Sequence, residues 1–369
     1  MNPVAKLRRH RQKITNEWYS LRPILGMANW AIFYLIMGGR EAGKSYAVTD
    51  FFVSQFVKKG RPFWWIRLTA KQAQKLLANN AEKLVDPDIR RRYNLDLVTS
   101  GNNVYSVKRE ERVIHHKDGT ESIERKIVEK VLMARVFDLS TYYADKGSLF
   151  DKDFLKDGRM WYNIAVDEFQ REQGEKNTFD VLYALVNQLE NIVRSTKKRL
   201  RIFFLGNTLE EASDILCAFN FIPEKFGIFK LKAKRAVIQN IEPSEEYLAR
   251  RKGTVADILL PTASTFTNKI DTDHGLVTKQ RVTKPEAVVR FFKSKDTWYT
   301  VWDGNIIRPY KAEKTKTIIA MRPYIDCLYD EKIRNTYIEL FDTRSFKFTN
   351  LMTFKRFQKQ MQLLVPRKG

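Results

Sequence analysis

The chain has 369 residues, and its 66 lysine and arginine residues against 43 acidic residues give a formal net charge of +23. This charge predicts an anionic partner, while a content of 43% hydrophobic and 12% aromatic residues excludes a disordered basic tail. Two cysteines exclude a disulfide scaffold and a cysteine-rich zinc module, and no apolar run approaches the roughly 20 residues of a membrane-spanning helix. We therefore expect a soluble protein of two or three domains, in a reducing compartment and without a membrane partner.

The first 228 residues are predicted to form an α/β domain that begins with a basic leader over residues 1–30. Continuous apolar runs, typical of strands buried on both faces, are followed by amphipathic helical segments. The predicted strands are 31–37, 63–68, 161–166 and 200–205, and the predicted helices are 44–59, 70–84 and 179–194. Because strands that alternate with helices favour parallel pairing through crossover helices, we expect a mostly parallel sheet.

Three regions depart from this alternation. A charged β insertion is predicted over 101–137, with a hairpin turn at Asp118-Gly119. A charged and irregular linker or lid is predicted over 229–284. The remaining residues, 285–369, are predicted to form a small α+β domain, with strands at 287–292 and 297–302 around a turn at 295–296, a strand near 315–321, and helices near 330–341 and 351–363.

A glycine-rich turn between the first strand and the first long helix carries a specific motif. It fits the pattern G-x-x-x-x-G-K-[ST] of a nucleotide-binding phosphate loop with the residues Gly38, Gly39, Arg40, Glu41, Ala42, Gly43, Lys44 and Ser45. In such a loop the backbone N–H groups curl around the β-phosphate, and the helix dipole adds to the attraction. Lys44 is expected to reach the β- and γ-phosphate oxygens and Ser45 to bind Mg²⁺, so the predicted cofactors are ATP and magnesium.

Two acids follow the apolar run at 161–166 and extend the predicted chemistry. Asp167 is expected to hold the Mg²⁺ shell, and Glu168 is expected to polarise the attacking water. The strand at 200–205 leads to Asn207, which is predicted to sense the γ-phosphate. This order of parts favours a P-loop NTPase with an additional strand between the nucleotide loop and the acid strand. Many such proteins work as rings on nucleic acid.

Several motifs together make residues 30–225 resemble the DNA-packaging ATPases of phi29-type tailed phages. They are the phosphate loop with the following Tyr46-Ala47, the run Val166-Asp167-Glu168-Phe169-Gln170-Arg171-Glu172, the helix end Asn191-Ile192-Val193-Arg194, the strand end Phe203-Phe204-Leu205-Gly206-Asn207, and Phe219-Asn220-Phe221-Ile222-Pro223. The resemblance implies a homo-oligomeric ring, a pentamer, that drives double-stranded DNA into a prohead at its portal vertex. It also implies action in the host cell cytoplasm and, in some members, docking through a structural packaging RNA.

The same resemblance implies roles for residues outside the phosphate loop. Arg194 matches the arginine that acts in trans on the γ-phosphate of the neighbouring subunit, and Lys146 matches a second residue that acts across that interface. The alternative for Arg194 is a solvated basic run over 194–201. The C-terminal domain would be a degenerate RNase H-like nuclease fold, and we expect no cleavage activity from it.

Contacts to DNA are predicted for Arg67, Lys71 and Lys75, which follow the second strand at the mouth of the sheet. A solvated face rich in lysine and glutamine is the alternative. The alternative function is a helicase or DNA-remodelling ring ATPase without a capsid partner. The net charge and Glu168 disfavour a small-molecule kinase, and the intact loop and acid pair disfavour a nucleic-acid-binding scaffold without ATPase activity.

Overall fold

The computed structural model of the chain describes residues 18–115, 121–141, 162–169, 180–193, 200–207, 214–223 and 225–259, and six short strands between residues 293 and 348. The chain divides into two compact units, one of Met1–Thr208 with Lys225–Lys269 and one of Leu209–Glu224 with Ile270–Gly369. The first unit holds the phosphate loop. None of the helices in the described ranges is long and apolar enough to cross a membrane.

Nine strands of the described ranges form one sheet in the first unit. They are β1 (Phe33–Gly38), β2 (Phe63–Arg67), β3 (Asp96–Ser100), β4 (Asn103–His115), β5 (Glu121–Asp138), β6 (Tyr162–Asp167), β7 (Leu200–Asn207), β8 (Gly227–Leu231) and β9 (Ala236–Asn240). Their spatial order is β3-β4-β5-β2-β6-β7-β1-β9-β8. The strands from β5 to β9 in this order pair in parallel, whereas β3, β4 and β8 add antiparallel pairs at the two edges.

The centre of the sheet brings the predicted phosphate loop and acids to one edge. Strands β1, β2, β6 and β7 are buried along nearly their whole length, as expected for strands covered on both faces. Gly38 lies opposite Asn207 in the parallel pairing of β1 with β7, and Asp167 lies opposite Leu205 in that of β6 with β7. Strand β7 lies between β1 and β6, so the predicted additional strand between the nucleotide loop and the acid strand is confirmed.

The described helices are mostly short. In chain order they are α1 (Arg22–Met27), α2 (Lys44–Lys59), α3 (Ala70–Ala81), α4 (Pro87–Tyr93), α5 (Val181–Val193), α6 (Asp214–Ala218), α7 (Glu245–Arg251) and α8 (Val255–Leu259), with α6 in the second unit. The predicted helix over 70–84 loses helical dihedral angles at Ala78, Asn79 and Asn80. The regular part of this helix therefore ends before Ala78, earlier than the sequence pattern predicted.

Helix α2 holds the phosphate loop against the sheet. It begins after Gly43, whose left-handed φ of 86° suits glycine. On its buried face, Phe52 meets the rings of Phe63, Trp65 and Phe203 from the strands. Burying an aromatic side chain of this size contributes about 1.5–3 kcal/mol, so the loop is attached to a well-packed element.

The charged segment over 101–137 is a hairpin of β4 and β5, and its predicted turn at 118–119 lies outside the described residues. It is not an insertion along its whole length, because 134–138 of β5 pair in parallel with β2 and Ala134, Val136 and Phe137 are buried there. Residues 108–115 and 121–130 pair as a two-stranded ribbon. Since β5 runs parallel to β2, this ribbon extends from the edge of the sheet away from the phosphate loop.

The predicted linker over 229–284 differs from the structure at its start. Strands β8 and β9 extend the sheet, with β9 parallel to β1, because the short apolar stretch Ala236, Val237 and Ile238 is fully buried there. Helices α7 and α8 follow. The compact unit that holds the phosphate loop includes Lys225–Lys269, whereas the predicted N-terminal domain ends at residue 228; the domain boundaries stay predictions.

In the second unit, the structure describes helix α6 and the paired short strands that follow it in the chain. Strands β10 (Lys293–Ser294) and β11 (Thr297–Trp298), β12 (Val301–Asp303) and β13 (Ile306–Arg308), and β14 (Ile318–Ala320) and β15 (Phe346–Phe348) form three pairs. The first pair encloses the predicted turn at 295–296. The predicted strand at 287–292 and the predicted helices near 330–341 and 351–363 lie outside the described residues, so the RNase H-like fold stays a prediction.

Candidate active site

The phosphate loop turns from the carboxyl end of β1 into α2. Glu41 has a φ of 62° and Gly43 a φ of 86°, both in the left-handed region. Left-handed residues among right-handed ones curve the backbone into a nest of N–H groups that binds anions. The buried Lys44 ammonium donates to the carbonyl oxygens of Gly38 at 2.8 Å and Gly39 at 2.7 Å, which holds its charge beside the loop.

Asn207 and Lys44 approach each other across the parallel pair of β1 and β7. The Lys44 Nζ lies 3.4 Å from the Asn207 Oδ1. Burial lowers the pKa of Lys44 to about 8, although Asp167 and Glu168 act in the opposite direction by favouring the charged ammonium. The predicted sensor and the predicted phosphate-binding cation therefore face the same space at the carboxyl edge of the sheet.

Ser45 and Asp167 form a hydroxyl–carboxylate pair next to the loop. The Ser45 hydroxyl donates to Asp167 Oδ1 at 3.3 Å, and the Asp167 carboxyl group is nearly buried at the end of β6. Oxygen ligands of these two kinds are those that Mg²⁺ prefers, together with phosphate oxygens and water. The two predicted metal ligands therefore fit a magnesium ion, since a single ion can contact both oxygens.

Glu168 leaves the sheet directly after Asp167 with a left-handed backbone. Its φ is 53°, and its N–H donates to Asp167 Oδ1 at 3.1 Å. A non-glycine residue in this region stores strain, and such strain persists where neighbouring contacts hold the residue in place. The Glu168 side chain is 46% exposed, so the predicted catalytic carboxylate can reach water at the mouth of the site.

Arg67 lies in the acid cluster, a place that the sequence did not indicate. Its guanidinium donates to Asp167 Oδ2 and to Glu168 Oε2, each at 2.6 Å, and its side chain is only 12% exposed. This position disfavours the predicted DNA contact for Arg67, because the donors are directed to the acids. Lys71 and Lys75 are exposed on α3. Their exposure is compatible with both alternatives, a DNA contact and a solvated face.

A second group that sequence reasoning missed lies on the outside of the phosphate loop. Helix α7 supplies Tyr247, Arg250 and Arg251, whose side chains donate to backbone carbonyl oxygens of the loop. Tyr19 reaches the loop from the segment before α1 through its backbone N–H. The sequence showed only a charged run at 250–252, and nothing in that run indicated its target.

Two predicted residues lie outside the described ranges. They are Lys146 and Arg194, both expected to act across a subunit interface. In the described site, the predicted phosphate loop with Lys44, the predicted magnesium ligands Ser45 and Asp167, and Glu168 nevertheless lie next to one another. These are the groups that phosphoryl transfer to water requires.

No protein-family model and no curated protein matches this chain. Among solved structures, the chain is similar to a chain of the bacteriophage Phi-29 viral genome packaging motor assembly, with a TM-score of 0.54 and 18% identity over 95% of this chain and 100% of that one. It is also similar to the Phi-28 gp11 DNA packaging motor, with a TM-score of 0.53 and 16% identity over 96% of this chain and 100% of that one. At these identities the likeness is one of fold. With β7 between β1 and β6 and the phosphate loop before α2, the chain has the α/β fold of a P-loop NTPase with an additional strand.

Proposed function

We propose that the chain is the ATPase of a viral genome-packaging motor, which uses ATP to drive double-stranded DNA into a prohead. One observation carries the proposal. The phosphate loop, the Ser45–Asp167 pair and Glu168 meet at the carboxyl edge of the sheet, in a fold shared with two phage DNA-packaging motors along most of the chain. The sequence motifs around these residues independently resemble that family.

Hydrolysis is assigned to the residues at this edge. The loop N–H groups and Lys44 bind the β- and γ-phosphate oxygens and offset the charge that develops on them. Ser45 and Asp167 would hold Mg²⁺, which would supply Lewis-acid chemistry toward the phosphate oxygens. Glu168 orients the attacking water and accepts its proton, and the Asn207 amide contacts the γ-phosphate.

DNA binding is assigned to the positive charge of the chain. A formal net charge of +23 attracts phosphates without regard to base sequence, which a translocase needs because it must hold every sequence that it moves. Lys71 and Lys75 are proposed contacts because they are exposed on α3, the helix that directly follows β2 at the edge with the site. Arg67 is proposed to bind the carboxylates of Asp167 and Glu168 instead of DNA.

The working form is proposed to be a homo-oligomeric ring of five subunits. Arg194, and with it Lys146, would act on the nucleotide of the neighbouring subunit. The ring would assemble at the portal vertex of the prohead in the host cell cytoplasm, and would contact a structural packaging RNA where the prohead carries one. These assignments rest on the motif resemblance.

A packaging assay tests the proposal. Protein, ATP, Mg²⁺, linear duplex DNA and empty proheads with their portal are mixed, and the DNA that survives added nuclease is measured. Protection should require ATP, and Lys44→Ala should give none. Strand separation without proheads would support the alternative helicase function, and ATP turnover without any protected DNA would contradict packaging.

A further inference from the structure

Four consecutive carbonyl groups of the phosphate loop are held by donors outside the loop. The Tyr247 hydroxyl donates to Arg40 O at 2.8 Å, and Arg250 Nη2 donates to Glu41 O at 2.7 Å. The next two carbonyl groups accept backbone N–H groups at 2.9 Å, from Tyr19 to Ala42 O and from Ala47 to Gly43 O. Every carbonyl oxygen over 40–43 is therefore bonded.

The direction of these carbonyl groups determines the direction of the loop N–H groups. In a planar trans peptide the C=O of one residue and the N–H of the next point in opposite directions, and none of the described peptide bonds is cis. Holding the carbonyl groups of 40–43 outward therefore turns the N–H groups of 41–44 inward. These are the groups that a bound phosphate would accept from.

Glu41 shows why the loop needs outside support. It is not glycine, yet it has a left-handed φ of 62°, a conformation that persists only where contacts hold it. Arg250 bonds its carbonyl oxygen, and Arg251 Nη1 lies 3.1 Å from its carboxylate. Arg251 also donates to Arg40 O at 3.3 Å, so both ends of the strained residue are tied to helix α7.

Helix α7 is itself placed firmly against the loop. Its N-terminus is capped by Ser244, whose hydroxyl accepts from the Tyr247 N–H at 3.1 Å. Tyr247 and Arg251 are four residues apart, share one helix face and are both buried. There is no room between helix and loop, because a Cβ at Gly39 would lie 2.3 Å from the Tyr247 hydroxyl oxygen.

The segment before α1 also contacts the loop and helix α7. Its Trp18 ring lies under the Arg250 guanidinium, with the Cζ 3.7 Å from the ring centroid, and a Cβ at Gly43 would meet the same ring at 3.1 Å. The Tyr19 hydroxyl donates to Gln239 Oε1 of β9 at 2.8 Å. Two segments that are far apart in sequence therefore contact the same loop.

We propose that Tyr247, Arg250 and Arg251 are positioning residues that hold the phosphate loop in its anion-binding shape. The inference rests on the proposed ATPase function, since it concerns the same nucleotide site. Without these donors the carbonyl groups of Arg40 and Glu41 turn more freely, and part of the binding free energy of ATP is spent on ordering the loop. Their role is thus to pre-organise the loop.

The test is Tyr247→Phe, which removes one hydrogen bond and keeps the ring that packs against Gly39. Loss of a hydrogen bond of this kind lowers affinity about five- to tenfold, so the Kd of ATP·Mg²⁺ should rise by about that factor. The KM should rise with the Kd while kcat changes less, because ATP restores the bound loop once it is saturating. Adding Arg250→Lys should raise the Kd further.

The matched control is Tyr105→Phe. In the parent protein the Tyr105 hydroxyl accepts from Asn103 Nδ2 at 3.3 Å on β4, away from the loop, and the substitution removes that bond. It should leave the Kd unchanged, and both variants should unfold at similar temperatures. Amide hydrogen exchange over 41–44 should be faster in Tyr247→Phe and return to the parent rate with ATP·Mg²⁺. An unchanged or lower Kd in Tyr247→Phe would overturn the inference, whereas failure of the parent protein to bind ATP would instead overturn the proposed function.

Discussion

The ionisation of Lys44 links nucleotide binding to pH, because burial lowers the pKa of its ammonium to about 8. Anionic phosphate beside Nζ favours the charged form and raises that pKa. Binding of ATP near pH 8 should therefore take up a proton, and the affinity should fall as the pH rises above 8. At pH 6.5 the ammonium is already charged, so proton uptake at Lys44 should be absent.

Calorimetry in two buffers with different ionisation enthalpies measures this uptake at pH 6.5 and pH 8. Lys44→Arg is the control, because a guanidinium stays charged over this range and should bind without the uptake at pH 8. Equal proton uptake by the parent protein and by Lys44→Arg would show that another group titrates.

Glu168 is the residue whose change should separate ATP binding from hydrolysis. Glu168→Gln keeps the size of the side chain and an oxygen that can accept from Arg67, but it loses the base. Turnover should fall by about 10² to 10⁴ with the Kd of ATP·Mg²⁺ nearly unchanged, as measured by steady-state kinetics and titration. Glu190→Gln on the exposed face of α5 is the control, and normal turnover in Glu168→Gln would remove that residue from the role.

At the scale of elements, the β4–β5 ribbon should be dispensable for the ATPase site. Lys108 and Glu129 pair across it and form an ion pair, so an Asn-Gly turn can join them and replace 109–128. The ribbon residues beyond this pair whose side chains the structure describes are exposed, and the ribbon extends away from the phosphate loop. ATP turnover should be unchanged and the free energy of unfolding should change by less than about 1 kcal/mol.

Denaturant unfolding and ATPase assays on the shortened chain measure both quantities. Met133→Ala is a contrasting change on the same strand, because Met133 is fully buried where β5 enters the sheet and its truncation should cost about 2–5 kcal/mol. Loss of the folded state on shortening the ribbon would show that the ribbon supports the sheet.

At the scale of the whole molecule, the net charge predicts how DNA affinity depends on salt. Each neutralised phosphate contributes about −0.9 to the slope of log K against log salt. Lys71→Ala and Lys75→Ala should each make the slope less steep by about 1, whereas Arg67→Ala should leave it unchanged because the guanidinium is engaged by Asp167 and Glu168. Binding titrations on two unrelated duplexes over a salt series would test this, and a sequence-selective or salt-insensitive complex would contradict it.

A ring that uses an arginine in trans makes a prediction about mixed subunits. Arg194→Ala should lower turnover by about 10³ to 10⁵ with little effect on ATP binding to a single subunit, and Lys44→Ala should be inactive because its phosphate loop lacks the cation. Mixing the two variants should restore part of the activity, because some interfaces join an intact pocket to an intact arginine. Absence of recovery in mixtures that co-assemble would place Arg194 outside the neighbour's site.

The amino-acid sequence by itself determined the features that lie within a few consecutive residues. The phosphate loop needs its glycines, lysine and serine in one run. The apolar run before Asp167 predicts a buried strand, and so places the two acids that follow it at the carboxyl end of that strand. The alternation of strands with helices likewise predicted the parallel sheet. These predictions succeed because the physical cause, a tight turn or a buried strand, acts over short distances along the chain.

Only the tertiary structure decided which segments meet at the site. Arg67 reaches an acid 100 residues away, Tyr247 reaches a loop carbonyl 207 residues away, and β5 joins the sheet beside β2. Strands buried on both faces have similar apolar patterns and pair through the same backbone hydrogen bonds. The sequence pattern therefore does not specify their neighbours, and a charged side chain at the end of a strand acquires its partner only when the strands are ordered in the folded sheet.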